Sequence, residues 1–212
     1  MKKIFFLFST LFCLYTAANA QFIQTGFRGG LHFNQMNALG WQSNNQTSPF
    51  GGVYVNIGKN KLALQLEGLY TTQTVTTDSS FKGLYNQYYN ILVDSSKIAS
   101  LKFNKIQVPV LFTFRFNKKF WIQFGGVFSN DISVINKANF KETATNIIKS
   151  KDVSLSGGFW LGITKRLSAS ARYTQSLNDL NNLESYSTTF PLIDLKKWHN
   201  QQIQLGIGIK VF

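Results

Sequence analysis

Few residues of this chain have the capacity for chemistry. They are two histidines, His32 and His199, and one carboxylate, Glu67, that shares an alternation phase with Arg28 and Arg172. A histidine beside a serine can act as general base to a nucleophile. Small barrel enzymes of the lipid A deacylase and palmitoyltransferase kind use that pair. His32 falls near the outer end of the first strand and His199 near that of the last, so closure is expected to bring the imidazoles close. Serines are plentiful in the polar segments, but none stands at the spacing of a nucleophile elbow. Two histidines without cysteines or a carboxylate pattern make a poor metal set. The chain has no phosphate-binding glycine loop and no dinucleotide fingerprint, so no cofactor and no metal are expected. The plain reading leaves both histidines on the surface or in the lumen; the enzymatic alternative takes His32 or His199 as base.

Glu67, Arg28 and Arg172 pose a different question. A carboxylate left alone in a barrel interior would be very costly, so Glu67 should pair with an arginine. Such a lumen charge network is either a gate or proton path, or a plug of side chains, and the plug is adopted here. Arg115 and Lys210 share the polar face nearer the strand ends.

These residues need strands to position them. Period-two alternation recurs eight times. The apolar phases run through Phe27–Phe33, Val53–Ile57, Leu62–Tyr70, Val108–Phe116, Phe120–Phe128, Val153–Ile163, Leu167–Tyr173 and Ile203–Val211. Three connections are very short: Gly58-Lys59-Asn60, Asn117-Lys118-Lys119 and Thr164-Lys165-Arg166. They alternate with four long polar ones, near residues 35–49, 75–100, 130–150 and 177–200. Short turns at one end and long loops at the other are the mark of an outer-membrane barrel. A soluble lipocalin-like barrel would use the same alternation with its apolar residues inside. Three features favour the membrane: Phe212 ends the final strand, the other face is rich in glycine, serine and glutamine, and aromatics mark the ends of the apolar face. The expected girdle comprises Phe22, Phe27, Phe33, Tyr70, Phe103, Phe116, Phe120, Phe128 and Tyr173. Phe212 itself falls one step out of phase with Val211, Ile209 and Ile207. In hydrocarbon no sheet edge can stay open, so the first and last strands must pair. Eight strands leave room inside for side chains but not for a channel. Pro109 lies within a strand that should have two neighbours, where a local bulge would accommodate it.

Residues 1–20 read as a secretory signal, with Lys2 and Lys3, an apolar stretch from Ile4 to Tyr15, and Ala18-Asn19-Ala20 as the cleavage site. The apolar stretch is too short to span a bilayer as a helix. Cys13, the only cysteine, leaves with it, and the formal charge falls from +13 to +11. Residues 21–212 then form one barrel domain without thiol chemistry. An exported basic chain excludes nucleic acid as a partner. Its charges either solvate loops and turns or meet anionic lipid and lipopolysaccharide phosphates.

Trp121 and Trp160 share the polar phase of adjacent strands, where lumen filling is expected. Trp41 and Trp198 are expected to anchor at the membrane interface. In the long segment FKGLYNQYYNILV, from Phe81 to Val93, four aromatics (Phe81, Tyr85, Tyr88 and Tyr89) suit loop recognition of a partner or a cap over the barrel mouth.

Four stretches resemble the small outer-membrane barrel family typified by PorT. They are PFGGVYVNIGKNKLALQLEGLY (Pro49–Tyr70), FNKIQVPVLFTFRF (Phe103–Phe116), ARYTQSLNDL (Ala171–Leu180) and QQIQLGIGIKVF (Gln201–Phe212). The resemblance implies an eight-stranded barrel in the outer membrane of Bacteroidetes-type bacteria, and for PorT itself an association with protein secretion. The expected architecture is an all-β, eight-stranded antiparallel up-and-down transmembrane β-barrel with both termini periplasmic. The expected role is a non-enzymatic, side-chain-plugged barrel that contacts lipid, lipopolysaccharide, or envelope or secretion-system proteins. A lipid-modifying enzyme and a narrow pore are the alternatives.

Overall fold

A computed structural model describes residues 23–38, 40–42, 46–58, 61–78, 99–138, 147–182 and 197–211, and at 136–138 the backbone alone. The signal-peptide expectation, Phe22, Phe212 and the aromatic segment from Phe81 to Val93 lie outside the described residues.

Eight strands follow in chain order: β1 (Ile23–Asn37), β2 (Gln46–Ile57), β3 (Leu62–Thr76), β4 (Ser100–Arg115), β5 (Phe120–Ala138), β6 (Lys151–Gly162), β7 (Leu167–Ser176) and β8 (His199–Lys210). Each pairs antiparallel with the next, and β8 returns to β1, closing the barrel. Closure runs from Gly26 opposite Lys210 to Asn37 opposite His199. The four-residue turns between Ile57 and Leu62, Arg115 and Phe120, and Gly162 and Leu167 define the periplasmic end, where β1 begins and β8 ends. Asn117 and Thr164 fasten two of these turns. The Asn117 side-chain oxygen accepts from the backbone N–H groups of Lys119 and Phe120, and the Thr164 hydroxyl from those of Arg166 and Leu167.

The alternation sorts the faces as membrane physics requires. Phe27, Leu31, Phe112, Phe124, Phe128, Leu155 and Ile207 are exposed on the outside, while Arg28, His32, Gln65, Glu67, Gln123 and Arg172 are buried within. A water-soluble barrel would reverse this order, because exposed apolar area on that scale is unfavourable in water. Phe116 and Phe120 mark the outer wall at the short-turn end, and Tyr70, Phe128 and Tyr173 lie towards the long loops.

Several expectations change. Phe103 does not belong to the outer girdle: it is 1 % exposed and points inward. It shares the odd-numbered phase of Lys105 and Gln107, opposite to that of Val108 and Phe112. Trp41 and Trp198 are not interfacial anchors either, being 2 % and 0 % exposed. They meet edge to face, with ring centroids 5.5 Å apart, inside an apolar cluster with Met36, Leu101, Phe103, Ile148 and Leu180. The strands outrun the boundaries read from sequence, since β5 continues to Ala138. Pro109 needs no bulge: it stands opposite Val127, and the register shifts of that pair fall instead at Ser100/Leu101 and Asn104/Lys105.

Glycine decides how the lumen fills. Gly208 and Gly26 face inward, where a Cβ would stand 2.6 Å from the Trp160 ring and 2.7 Å from the Tyr54 ring. Without side chains at these positions, two large rings can lie across the bore.

Candidate functional site

The structure brings Arg28, Glu67 and Arg172 together, although they come from β1, β3 and β7. Arg28 Nη1 donates to Glu67 Oε2 at 2.8 Å. Arg172 engages the same carboxylate with both ends of its fork, Nη1 to Oε2 at 3.0 Å and Nη2 to Oε1 at 2.7 Å. The planar guanidinium suits this two-point contact, which fixes the carboxylate's plane as well as its position. All three side chains are excluded from solvent. Two arginines against one glutamate leave the centre with one excess positive charge.

A shell of amides completes it. Gln65 donates to Glu67 Oε1, Gln123 donates to Gln65 and Thr113, and Arg172 Nη2 also reaches Gln123 Oε1 at 3.1 Å. Arg28 Nη2 donates to the Ser170 hydroxyl at 2.9 Å. Its guanidinium lies 5.3 Å and 5.2 Å from the ring centroids of Phe50 and Trp160, within cation–π range. Towards the periplasm, Asn56 donates to Gln65 and accepts from Arg115, whose guanidinium stands 5.3 Å from the Trp121 ring centroid. Trp121 and Trp160 stack at 6.1 Å; Trp160 is buried in the lumen, and Trp121 is half-buried at its periplasmic mouth.

The histidines do not meet. In the closing pair His32 stands opposite Gln204, whereas His199 stands opposite Asn37 at the loop end. The barrel wall carries β1 several residues past His32, so His32 is an interior residue and not a rim one. It is fully buried and stacks on Phe50 at 4.5 Å. Its Nδ1 is within hydrogen-bond distance of Thr71 and Gln202, and its Nε2 contacts Gln204. Thr71 also donates to the Pro49 carbonyl. The one hydroxyl bonded to this ring among the described residues is thus itself tied and shut off from the bilayer. Among the described residues no group of three or more His, Cys, Asp or Glu side chains could hold a metal ion.

Alternation places Gln65, Gln123 and Gln204 on the inner face, but nothing in it singles them out as partners, and Gln202 precedes the alternating run of the last strand. A further pair escaped the sequence reading: Lys105 reaches Asp131 at 3.4 Å beside the β4–β5 irregularity. On the loop side Asp152 accepts from Ser154 and Ser176.

Residues 18–182 match the family model described as "Outer membrane protein beta-barrel domain". Among solved structures the chain is similar to Neisserial surface protein A, with 11 % identity over 88 % of this chain and 97 % of that one, at a TM-score of 0.49. It is similar to the attachment invasion locus protein Ail of Yersinia pestis, with 8 % identity over 89 % and 98 %, at 0.46. OprG of Pseudomonas aeruginosa follows with 11 % identity over 89 % and 94 %, at 0.40. No curated protein matches the chain.

Proposed function

We propose, from the premise that this chain belongs to the outer membrane protein β-barrel domain family, that it is a non-enzymatic barrel whose lumen is closed and whose ends contact envelope partners. The observation that carries this reading is the cross-tie of Glu67 by Arg28 and Arg172, seated among Gln65, Gln123, Ser170 and Trp160. Side chains bonded to one another across an eight-stranded bore leave an ion no continuous aqueous path. The finer reading is an envelope structural or interaction role of the PorT type, associated with secretion. It is supported by the stretches Pro49–Tyr70 and Phe103–Phe116. Cleavage after Ala20, loop recognition through Phe81, Tyr85, Tyr88 and Tyr89, and contact with lipopolysaccharide belong to the same proposal.

Planar-bilayer recording tests the closed lumen. No steady single-channel current is expected, and a steady current would favour the narrow pore. The enzymatic alternative predicts that replacing His32 and His199 together alters lipid A structure in cells producing the protein. With His32 held between Gln202, Gln204 and Thr71, the lipid A profile is expected to stay the same. Identifying what co-purifies with the barrel from native outer membrane then tests the partner reading.

A further inference from the structure

Charge is distributed unevenly between the two ends. On the loop side cations and carboxylates are mixed, with Lys105 beside Asp131 and with Asp78, Asp152 and Asp179 at the same end of the barrel. At the periplasmic end the sequence has no acidic side chain. Glu67 is the first acidic residue of the whole chain, and none occurs from 115 to 130, 153 to 178 or 195 to 212. Glu67 is itself consumed by Arg28 and Arg172.

The cations there converge on a concave surface. Lys118, Lys165, Arg166 and Lys210 line one basin of about 210 Å³, together with Tyr54, Trp121 and Ser168. Lys61, Arg115 and Lys118 line a second of about 440 Å³, which shares Lys118 and Trp121 with the first. Two buried donors at this mouth, Arg115 Nε and Trp121 Nε1, have no acceptor among the described residues. Like charges gathered without counterions raise the local potential, and a low-dielectric concavity focuses it. The turns hold this arrangement in place, because Asn117 and Thr164 bond their own backbones.

We propose that the periplasmic mouth is a docking site for an acidic, carboxylate-rich peptide segment of a periplasmic partner. This rests on the reading of the protein as an envelope interaction barrel and names the chemistry of its partner. The site faces along the barrel axis: Arg115, Trp121, Ser168 and Lys210 occupy the inward phase of their strands, across the wall from the acyl chains. A lipid headgroup, held by tails on the outer wall, would meet the outward phase instead. The cations line two adjoining basins that share Lys118 and Trp121, a spread wider than a single compact oxyanion can engage. An extended chain with several carboxylates can reach both basins at once.

The test uses the full mature barrel in zwitterionic micelles and a fluorescein-labelled ten-residue Asp/Glu peptide, read by anisotropy. Binding is expected to weaken steeply with salt, and roughly tenfold or more in a Lys118→Glu, Lys165→Glu, Lys210→Glu variant. A Lys102→Glu, Lys149→Glu variant at the loop end should bind like the parent. Heat-dependent electrophoretic mobility reports that each variant is folded, and the milder Lys165→Ser, Lys210→Ser variant should show an intermediate loss. Equal binding by the mouth and loop variants would overturn the proposal. So would full displacement of the peptide by millimolar inorganic phosphate, which marks a point oxyanion site, or by phosphatidylglycerol micelles, which mark a lipid site. Bilayer conductance of the same preparation reads the closed lumen alone, so failure of the docking proposal and failure of the underlying function are separable.

Discussion

From the level of His32 towards the periplasm, the bore is filled by bonded arginine, glutamate, glutamine and asparagine side chains, with the rings of Phe50, Tyr54 and Trp160 packed among them. Towards the long loops it is filled by the uncharged Met36, Trp41, Leu101, Phe103, Ile148 and Trp198, with Lys105 Nζ at their edge, 5.4 Å from the Phe103 ring centroid. The first region depends on direction, because the Glu67 carboxylate, the amides and the guanidinium Nη groups are bonded to named partners, and the loss of one strands another in a medium that cannot resolvate it. The second depends on volume and shape, which tolerate exchange as long as the space stays filled. The two regions should therefore answer differently to substitutions of equal size.

The largest expected effect comes from Glu67→Gln, which keeps the shape and removes the charge. Two buried arginines would then face each other without an anion, at a cost of about 3–5 kcal/mol. Urea unfolding of the barrel in lipid vesicles would measure it, and a loss under about 1 kcal/mol would mean that water already reaches the centre. Replacing all three charges by apolar residues sharpens the point. An Arg28→Met, Glu67→Leu, Arg172→Met variant should recover most or all of that loss, since exchanging a whole buried ion network for apolar groups is often neutral or stabilising.

Next in size is a change on the wall that both regions share. Phe124→Arg puts a charge on the lipid face of β5, in the middle of the apolar band, and should cost about 2–4 kcal/mol in the same assay. If it cost nothing, the outer face would not be meeting hydrocarbon. In the apolar region Met36→Leu conserves volume and should cost less than about 1.5 kcal/mol. A loss as large as that of Glu67→Gln would erase the contrast between the two ends. The smallest effect is expected at the turns, where Asn117→Ala removes acceptors from two backbone N–H groups that water can still reach. About 1 kcal/mol is expected there, visible as a small shift in the heat-dependent electrophoretic mobility.

Much of the barrel was legible because a β-strand has a period of two and a bilayer rewards its strict use. Val108 to Phe116 and Ile203 to Val211 keep one phase throughout, and that phase is the lipid-facing one. The three short turns were legible for the same reason: the alternation stops at Ile57, Phe116 and Ile163 and restarts within a few residues. The misplaced residues lie where that constraint lapses. Phe103, Trp41 and Trp198 stand at or beyond the edge of the bilayer, where an aromatic can gain as much from a covered mouth as from an interface. Their type alone does not say which they will choose.

The sequence by itself determined which residues share a face of each strand, because alternation is a local property of the chain; the structure showed that the apolar face is the outer one and that Phe103 lies on the other. It also determined the absence of acidic side chains at the periplasmic end, which is a matter of composition. Only the tertiary structure decided who meets whom across the bore. The stagger of eight tilted strands sets the heights at which Arg28, Glu67 and Arg172 arrive, and it separates His32 from His199 although their strands are neighbours. That stagger is a sum over the register of every strand pair around the barrel, so no single stretch of sequence contains it.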